Sequence, residues 1–266
     1  MKIIVCVKQV PDTSGKVAVN PDGTLNRASM AAITNPDDLN AVEAALVLKE
    51  QTGAEVVVVS MGPPPAEGML REVMARGVDR AVLVSGREFG GSDTYATSQI
   101  LAAAINKIGV DKDDVVMCGR QAIDGDTAQV GPQIAEKLGL PQISYAAEIT
   151  KEGDTLTVKR MLEDGYMTIK VKTPCLITCI KELNNPRYMS VGGIFECYSK
   201  PYEIFDYNTL KDDPLIDPAT IGLSGSPTNI LTSFTPPQKG AGMMLEGADK
   251  ATCDKLAGIL AAKHMI

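Results

Sequence analysis

Residue types suited to chemistry concentrate in the run Gly119-Arg120-Gln121-Ala122-Ile123-Asp124-Gly125-Asp126-Thr127-Ala128-Gln129-Val130-Gly131-Pro132, which sets carboxylates, a guanidinium, carboxamides and a hydroxyl among glycines. Glycine lets backbone turn tightly and approach a ligand, and the amphipathic run after it reads as a helix whose first N–H groups lack partners and favour an anion. The glycine spacing is that of a phosphate cradle, but the lysine of a P-loop is missing, which excludes a Walker-type site. Asp124 and Asp126 disfavour a bare polyanion, whereas an acid bonding a ribose hydroxyl fits. Plain capping is the competing reading, with Asp126 as the cap, Thr127 as the first helical residue and Pro132 in the first turn. The residues alone leave both open.

Two further stretches repeat the device. Thr34-Asn35-Pro36-Asp37-Asp38 offers Asn35 as an N-cap, Pro36 at the first helical position and two acids in the first turn. Ser92-Asp93-Thr94-Tyr95-Ala96-Thr97-Ser98 places hydroxyls on the first turns of another helix, again with capping as the alternative. Met61-Gly62 lets backbone come close to a ligand, and Arg120 is either a cofactor contact or a surface charge. Three such junctions in one chain say more than any one of them.

The elements that must position these residues are read from periodicity. Lys2 to Val7, Glu55 to Ser60, Asp79 to Ser85 and Asp114 to Cys118 are apolar runs of the kind buried on both faces of a sheet, and helical stretches alternate with them. This β-α-β-α-β-α-β-α order predicts an α/β fold: a doubly wound, mainly parallel, Rossmann-like sheet whose ligand crevice lies at the carboxyl ends of the strands. A hairpin is expected over 17–27. Beyond Pro141, SYAAEIT, DTLTVKRML, GYMTIKVKT and PCLITCI predict a β-hairpin insertion that feeds a last strand back into the main sheet. Past Asn184 prolines multiply and periodicity fades until Asp249 to Lys263, so residues 1–190 form the expected nucleotide-binding domain and 191–266 a docking loop and an extended C-terminal arm ending in a helix.

The chain has 266 residues and a net charge of -7 with no basic stripe, which disfavours nucleic-acid binding. No apolar stretch reaches the length of a membrane span, and the first apolar run is too short for a signal peptide. Its six cysteines lie mostly inside apolar runs, as in a reducing compartment, so a cytoplasmic location is expected. Cys175 and Cys179 would be about 13 Å apart on a strand, too far to share a tetrahedral metal. Cys6 reads as core, and His264 as the single histidine excludes His-based triads. Protein acid–base groups are so sparse that redox or transfer chemistry would belong to a cofactor.

VCVKQVPD near the start, Thr34-Asn35-Pro36, Ser60-Met61-Gly62-Pro63, the 119–132 run and Asn185-Pro186-Arg187-Tyr188 together resemble the β (small) subunit of electron-transfer flavoprotein. The resemblance implies an obligate heterodimer with an FAD-binding α subunit, wrapped by the C-terminal arm. It further implies an adenine nucleotide in this chain: AMP in simple carriers, or a second FAD in electron-bifurcating members. Carried over by position, nucleotide contacts fall on Cys6, Asn35, Pro36, Asp37, Asp38, Met61 and the loop from Gln121 to Pro132. Asp93, Thr94 and Thr97, with Arg120, resemble the bifurcating subgroup. There NADH reduces the β-subunit FAD, and electrons part toward ferredoxin or flavodoxin and, through the α-subunit FAD, toward a partner dehydrogenase of the acyl-CoA dehydrogenase type or similar. On this reading the chain oxidises NADH only within the αβ complex. The family's dehydrogenase-docking loop falls at about 189–197, with Val191 as the anchor. A carrier subunit holding AMP structurally, and a nucleotide-sensing module of the universal-stress type, are the alternatives.

Overall fold

The computed structural model describes residues 1–12, 31–228, 231–232 and 240–266. The hairpin expected over 17–27 lies outside them. Two compact units divide the chain: residues 1–18 with 25–231, and residues 19–24 with 232–266.

In chain order the first unit contains β1 (Lys2–Cys6), β2 (Gln9–Pro11), β3 (Ala32–Thr34), α1 (Pro36–Thr52), β4 (Glu55–Met61), α2 (Glu67–Ala75), β5 (Arg80–Val84), α3 (Thr94–Ile108), β6 (Val115–Gly119) and α4 (Val130–Leu138). It continues through β7 (Gln142–Glu152), β8 (Thr155–Met161), β9 (Tyr166–Lys172), β10 (Cys175–Cys179), α5 (Val191–Glu196), β11 (Tyr202–Phe205), α6 (Tyr207–Leu210) and α7 (Gly222–Gly225). Among the described residues the main sheet runs β11-β5-β4-β1-β6-β10-β7-β8-β9, and β2 and β3 form a separate antiparallel ribbon.

The sheet is parallel from β11 through β7 and antiparallel over β7-β8-β9, so the architecture is the expected mainly parallel α/β sheet with a hairpin extension. Val56 to Val59 of β4 are wholly buried because α1 and α2 cover one face while α3 covers the other. Pro36 stands at the first position of α1, and Gly53 closes that helix in the left-handed region at φ 72°. Cys175 and Cys179 both lie buried on β10, which returns between β6 and β7.

The compact unit extends past residue 190, where composition placed a boundary, to 231. The four residues of β11 pair in parallel with β5, and Phe205, Leu210, Ile216 and Ile221 enter the core beside α3. A strand this short leaves no periodic trace in sequence. The expected docking loop contains a helical turn, α5. The second unit contains α8 (Lys250–Ala262), N-capped by the Asp249 carboxylate at the Thr252 amide (2.8 Å) and carrying no buried residue. No helix among the described residues is long and apolar enough to cross a membrane.

Candidate functional site

β1 and β6 are neighbours, yet the chain leaves β1 for β4 on one side and leaves β6 for the opposite half of the sheet. Such a reversal makes the carboxyl ends of the two strands the candidate crevice, because open α/β sheets take their ligands there. A single carboxylate joins its walls: Asp38 Oδ2 accepts the Lys8 amide at 2.8 Å and Oδ1 accepts the Gly119 amide at 2.9 Å. Burial pushes the Asp38 carboxyl up to about 7, opposed by those amides and by the Asn35 side chain. Residue 119 has to be glycine, because a Cβ there would run into the Asp38 carboxylate and the backbone of Asp37 and Asp38.

Asn35 stands at the N-cap position of α1, but its side chain caps nothing; the Asn35 carbonyl takes the amides of Asp38 and Leu39 instead. Its carboxamide turns to the 120s loop, with Nδ2 donating to the Gln121 carbonyl (2.8 Å) and Oδ1 accepting the Ile123 amide (3.1 Å). The expected capping role is thereby corrected to that of a loop anchor.

Asp126 caps nothing either, and Thr127 starts no helix. Asp126 and Ala128 adopt left-handed φ values of 49° and 53°, so α4 begins only at Val130, after an uncapped Gln129. Single left-handed residues of this kind cost roughly 1–2 kcal/mol each and persist where surroundings enforce them. Here the turn is held by the amides of Gly125 and Asp126 on the Ala122 carbonyl. The amides of Thr127, Ala128 and Gln129 donate to no backbone carbonyl among the described residues. With the first-turn amides of Val130 and Gly131, which no preceding turn can pair, they leave a run of donors at the start of α4, the kind of end that favours an anion. Pro132 withholds no needed donor there, since the third helical amide is also unpaired in a free helix start. Gly131 has a packing reason as well: a Cβ would lie 2.6 Å from Cys118 Sγ and 2.9 Å from Thr178 Cγ2, so glycine lets α4 settle against β6 and β10.

Side chains lace the loop to the rest of the crevice. Lys8 Nζ reaches both Asp124 oxygens at 2.7 and 2.9 Å, Gln121 Nε2 donates to Asp126 Oδ1 at 2.8 Å, and Thr94 Oγ1 donates to Gln129 Oε1 at 2.8 Å. Arg120 Nε lies 3.3 Å from Asp37 Oδ2, yet neither atom has a hydrogen-bond partner among the described residues. Burial raises the Asp37 carboxyl and the Arg120 charge opposes it. The two atoms thus form a buried ion pair held by charge without a hydrogen bond.

The floor of the crevice is neutral. Burial, reinforced by Asp38, pushes the Cys6 thiol up to about 12, and Cys118 moves the same way, so neither is a nucleophile at neutral pH. Met61 is half-buried at the end of β4, and Thr97 is half-buried on α3. Asp93 caps α3 at the Ala96 amide (3.0 Å), as its position predicts. Its second oxygen accepts the Thr228 amide (2.9 Å), while Ser92 Oγ donates to the Phe89 carbonyl and accepts the Gly222 amide. The 92–93 side chains therefore hold residues 222–228 instead of facing the crevice. Val191, 75% exposed on α5, belongs to a separate surface.

Of the residues marked in sequence, Asn35, Asp37, Asp38, Thr94, Arg120, Gln121, Asp124, Asp126 and Gln129 are brought together by direct bonds or ion pairs. Sequence reasoning missed Lys8, whose signal was its place as the single cation closing the first strand, and it missed why residue 119 must be glycine. The site offers hydrogen-bond donors, neutral thiols and an excess of carboxylates over its two cations, Lys8 and Arg120, and among the described residues no acid–base pair is aimed at a common point.

The electron transfer flavoprotein domain family matches residues 22–201. Over the full length of both chains, this protein is 67% identical to the acryloyl-CoA reductase electron transfer subunit gamma of Anaerotignum propionicum. It is 51% identical to subunit CarD of the caffeyl-CoA reductase–Etf complex of Acetobacterium woodii, over 99% of this chain and 97% of that one. It is 49% identical over the full length of both chains to the electron transfer flavoprotein subunit beta of Clostridium acetobutylicum.

Proposed function

The chain belongs to the electron transfer flavoprotein family as a relative of its beta subunits, and from this premise we propose that it is the small subunit of an electron-bifurcating heterodimer, with FAD in the β1/β6 crevice. The single observation that carries the FAD reading is the Thr94–Gln129 bond of 2.8 Å. It joins the start of α3 to the donor-rich loop before α4, so a ligand held by the loop can extend along one continuous wall to Thr94 and Thr97.

On this reading the amides of 127–131 hold phosphate, Asp124 and Asp126 exchange Lys8 and Gln121 for ribose hydroxyls, and the half-buried Arg120 side chain, held by Asp37, lies beside the ligand. Cys6 and Met61 pack against the flat rings. Bound there, FAD would supply the redox chemistry, taking hydride from NADH and parting its electrons between ferredoxin or flavodoxin and, through the α-subunit FAD, a partner dehydrogenase. The protein's share is to bind, to exclude water and to fix distances. Relatives named as subunits of acryloyl-CoA and caffeyl-CoA reductase complexes support a CoA-thioester enzyme as the partner. Residues 232–266 serve as the arm on the α subunit; in α8, with no buried residue, Leu256 is 46% exposed.

A second reading, AMP as a structural ligand, is favoured by one observation: the Asp93 and Ser92 side chains are already engaged within the fold, which leaves fewer groups beyond the loop. Cofactor content of the purified heterodimer decides. Two FAD per αβ pair is the expected result, and one FAD with one AMP would replace the first reading by the second.

A further inference from the structure

α1 carries more than the crevice. Asn40, Glu43 and Glu50 project from it onto residues 184–187, and two of these three are buried, at 5% and 8% exposure for Asn40 and Glu43. Asn40 and Asn184 exchange bonds: Asn40 Nδ2 donates to the Asn184 carbonyl at 2.8 Å, and Asn184 Nδ2 donates to the Asn40 carbonyl at 2.9 Å. Glu43 grips Arg187 at three points, its amide, Nε and Nη2, each at 2.9 Å, while Glu50 takes Nη1 at 2.6 Å. Arg76 of the 76–79 turn donates to the Arg187 carbonyl. Burial would raise the Glu43 carboxyl, but Arg187 more than offsets this and leaves it below the usual range. A forked arginine–carboxylate pair fixes direction as well as distance.

Beyond this clamp the chain presents a surface rich in apolar side chains. Tyr188 is 92% exposed, and Val191, Phe195 and Tyr198 are 75, 77 and 73% exposed. Exposed apolar groups so concentrated mark an interaction surface. The far end is anchored too: Arg71 Nη1 donates to the Cys197 carbonyl at 2.8 Å, and Gly193 sits so close to the Ala75 carbonyl that a Cβ would collide with it. The near end is held by Asn40, Glu43 and Glu50 of α1 and by Arg76 at the Arg187 carbonyl.

We propose that Glu43 is a positioning residue for partner docking: by gripping Arg187 it fixes the base of segment 188–198, so that an electron-accepting protein with an apolar pocket meets a surface already ordered. This rests on the electron-carrier reading, and its physical content is that ordering is completed before binding and does not weaken the complex.

The test uses the intact αβ heterodimer with Glu43→Gln and Arg187→Lys. Glu43→Gln removes the charge and one acceptor, and Arg187→Lys keeps the charge but loses the fork. Amide hydrogen exchange over 188–198 should rise about tenfold in Glu43→Gln and less in Arg187→Lys, with residues 121–132 unchanged. With an acyl-CoA dehydrogenase as the probe acceptor, its KM should rise in the same order while kcat and NADH-driven flavin reduction hold. Unchanged exchange over 188–198 would overturn the clamp, and faster exchange with an unchanged KM would overturn its docking role. A wild-type heterodimer that passes no electrons to the probe would refute the carrier reading instead, while the exchange data would still decide the clamp.

Discussion

The Gly119 amide donates to Asp38 Oδ1 across 2.9 Å, and a Cβ on residue 119 would occupy the place of that same carboxylate. Two residues far apart in sequence thus determine each other: the acid can bridge β1 and β6 only because the glycine leaves room.

Gly119→Ala should therefore displace Asp38 and part the strand ends. Crowding of this kind costs on the order of 1–3 kcal/mol. Urea unfolding of the heterodimer should show that loss, together with weaker retention of the β-subunit nucleotide; retention equal to wild type would mean the crevice does not depend on the bridge.

Asp38 also sets a pH dependence. Its carboxyl is raised from 3.8 to about 7 in the folded chain, so between those values the folded state binds the extra proton. The stability it contributes is full below about pH 4 and is lost as pH rises through about 7, by on the order of 4 kcal/mol for a shift of this size. Wild type should accordingly lose thermal stability relative to Asp38→Asn between pH 5 and pH 8, because the amide does not titrate. Parallel profiles would assign the titration elsewhere.

Thr94→Ala and Arg120→Ala are expected to slow NADH-driven flavin reduction and to leave αβ assembly intact. Thr94→Ala and Gln129→Ala should each have the same effect as the double substitution, since either breaks the side-chain bond that joins α3 to the loop among the described residues. Stopped-flow reduction of the purified complex measures this. Wild-type rates in both Thr94→Ala and Arg120→Ala would remove these side chains from the site.

Much of the scaffold was legible. The continuous apolar runs of β1, β4, β5 and β6 carry their burial in their composition, and Pro36, Gly53 and Asp93 mark helix ends through local backbone chemistry. β11 was not legible, because four residues joining a sheet edge have no period of their own. Nor was the start of α4, where Asp126 and Ala128 look like cap and first turn but are held left-handed by a loop that Asn35 anchors from another element.

Sequence by itself determined the class of fold and the family, and it singled out the stretch between Gly119 and Pro132 as the candidate site, because periodicity, glycine spacing and motif are local properties. Tertiary structure alone decided which side chains of that stretch are free. Lys8 meets Asp124, Thr94 meets Gln129, and Asp93 turns to residues 222–228, pairings that span up to 135 residues. A hydrogen bond is directional and short, so whether a polar group faces a ligand or its own fold depends on where distant backbone brings a partner.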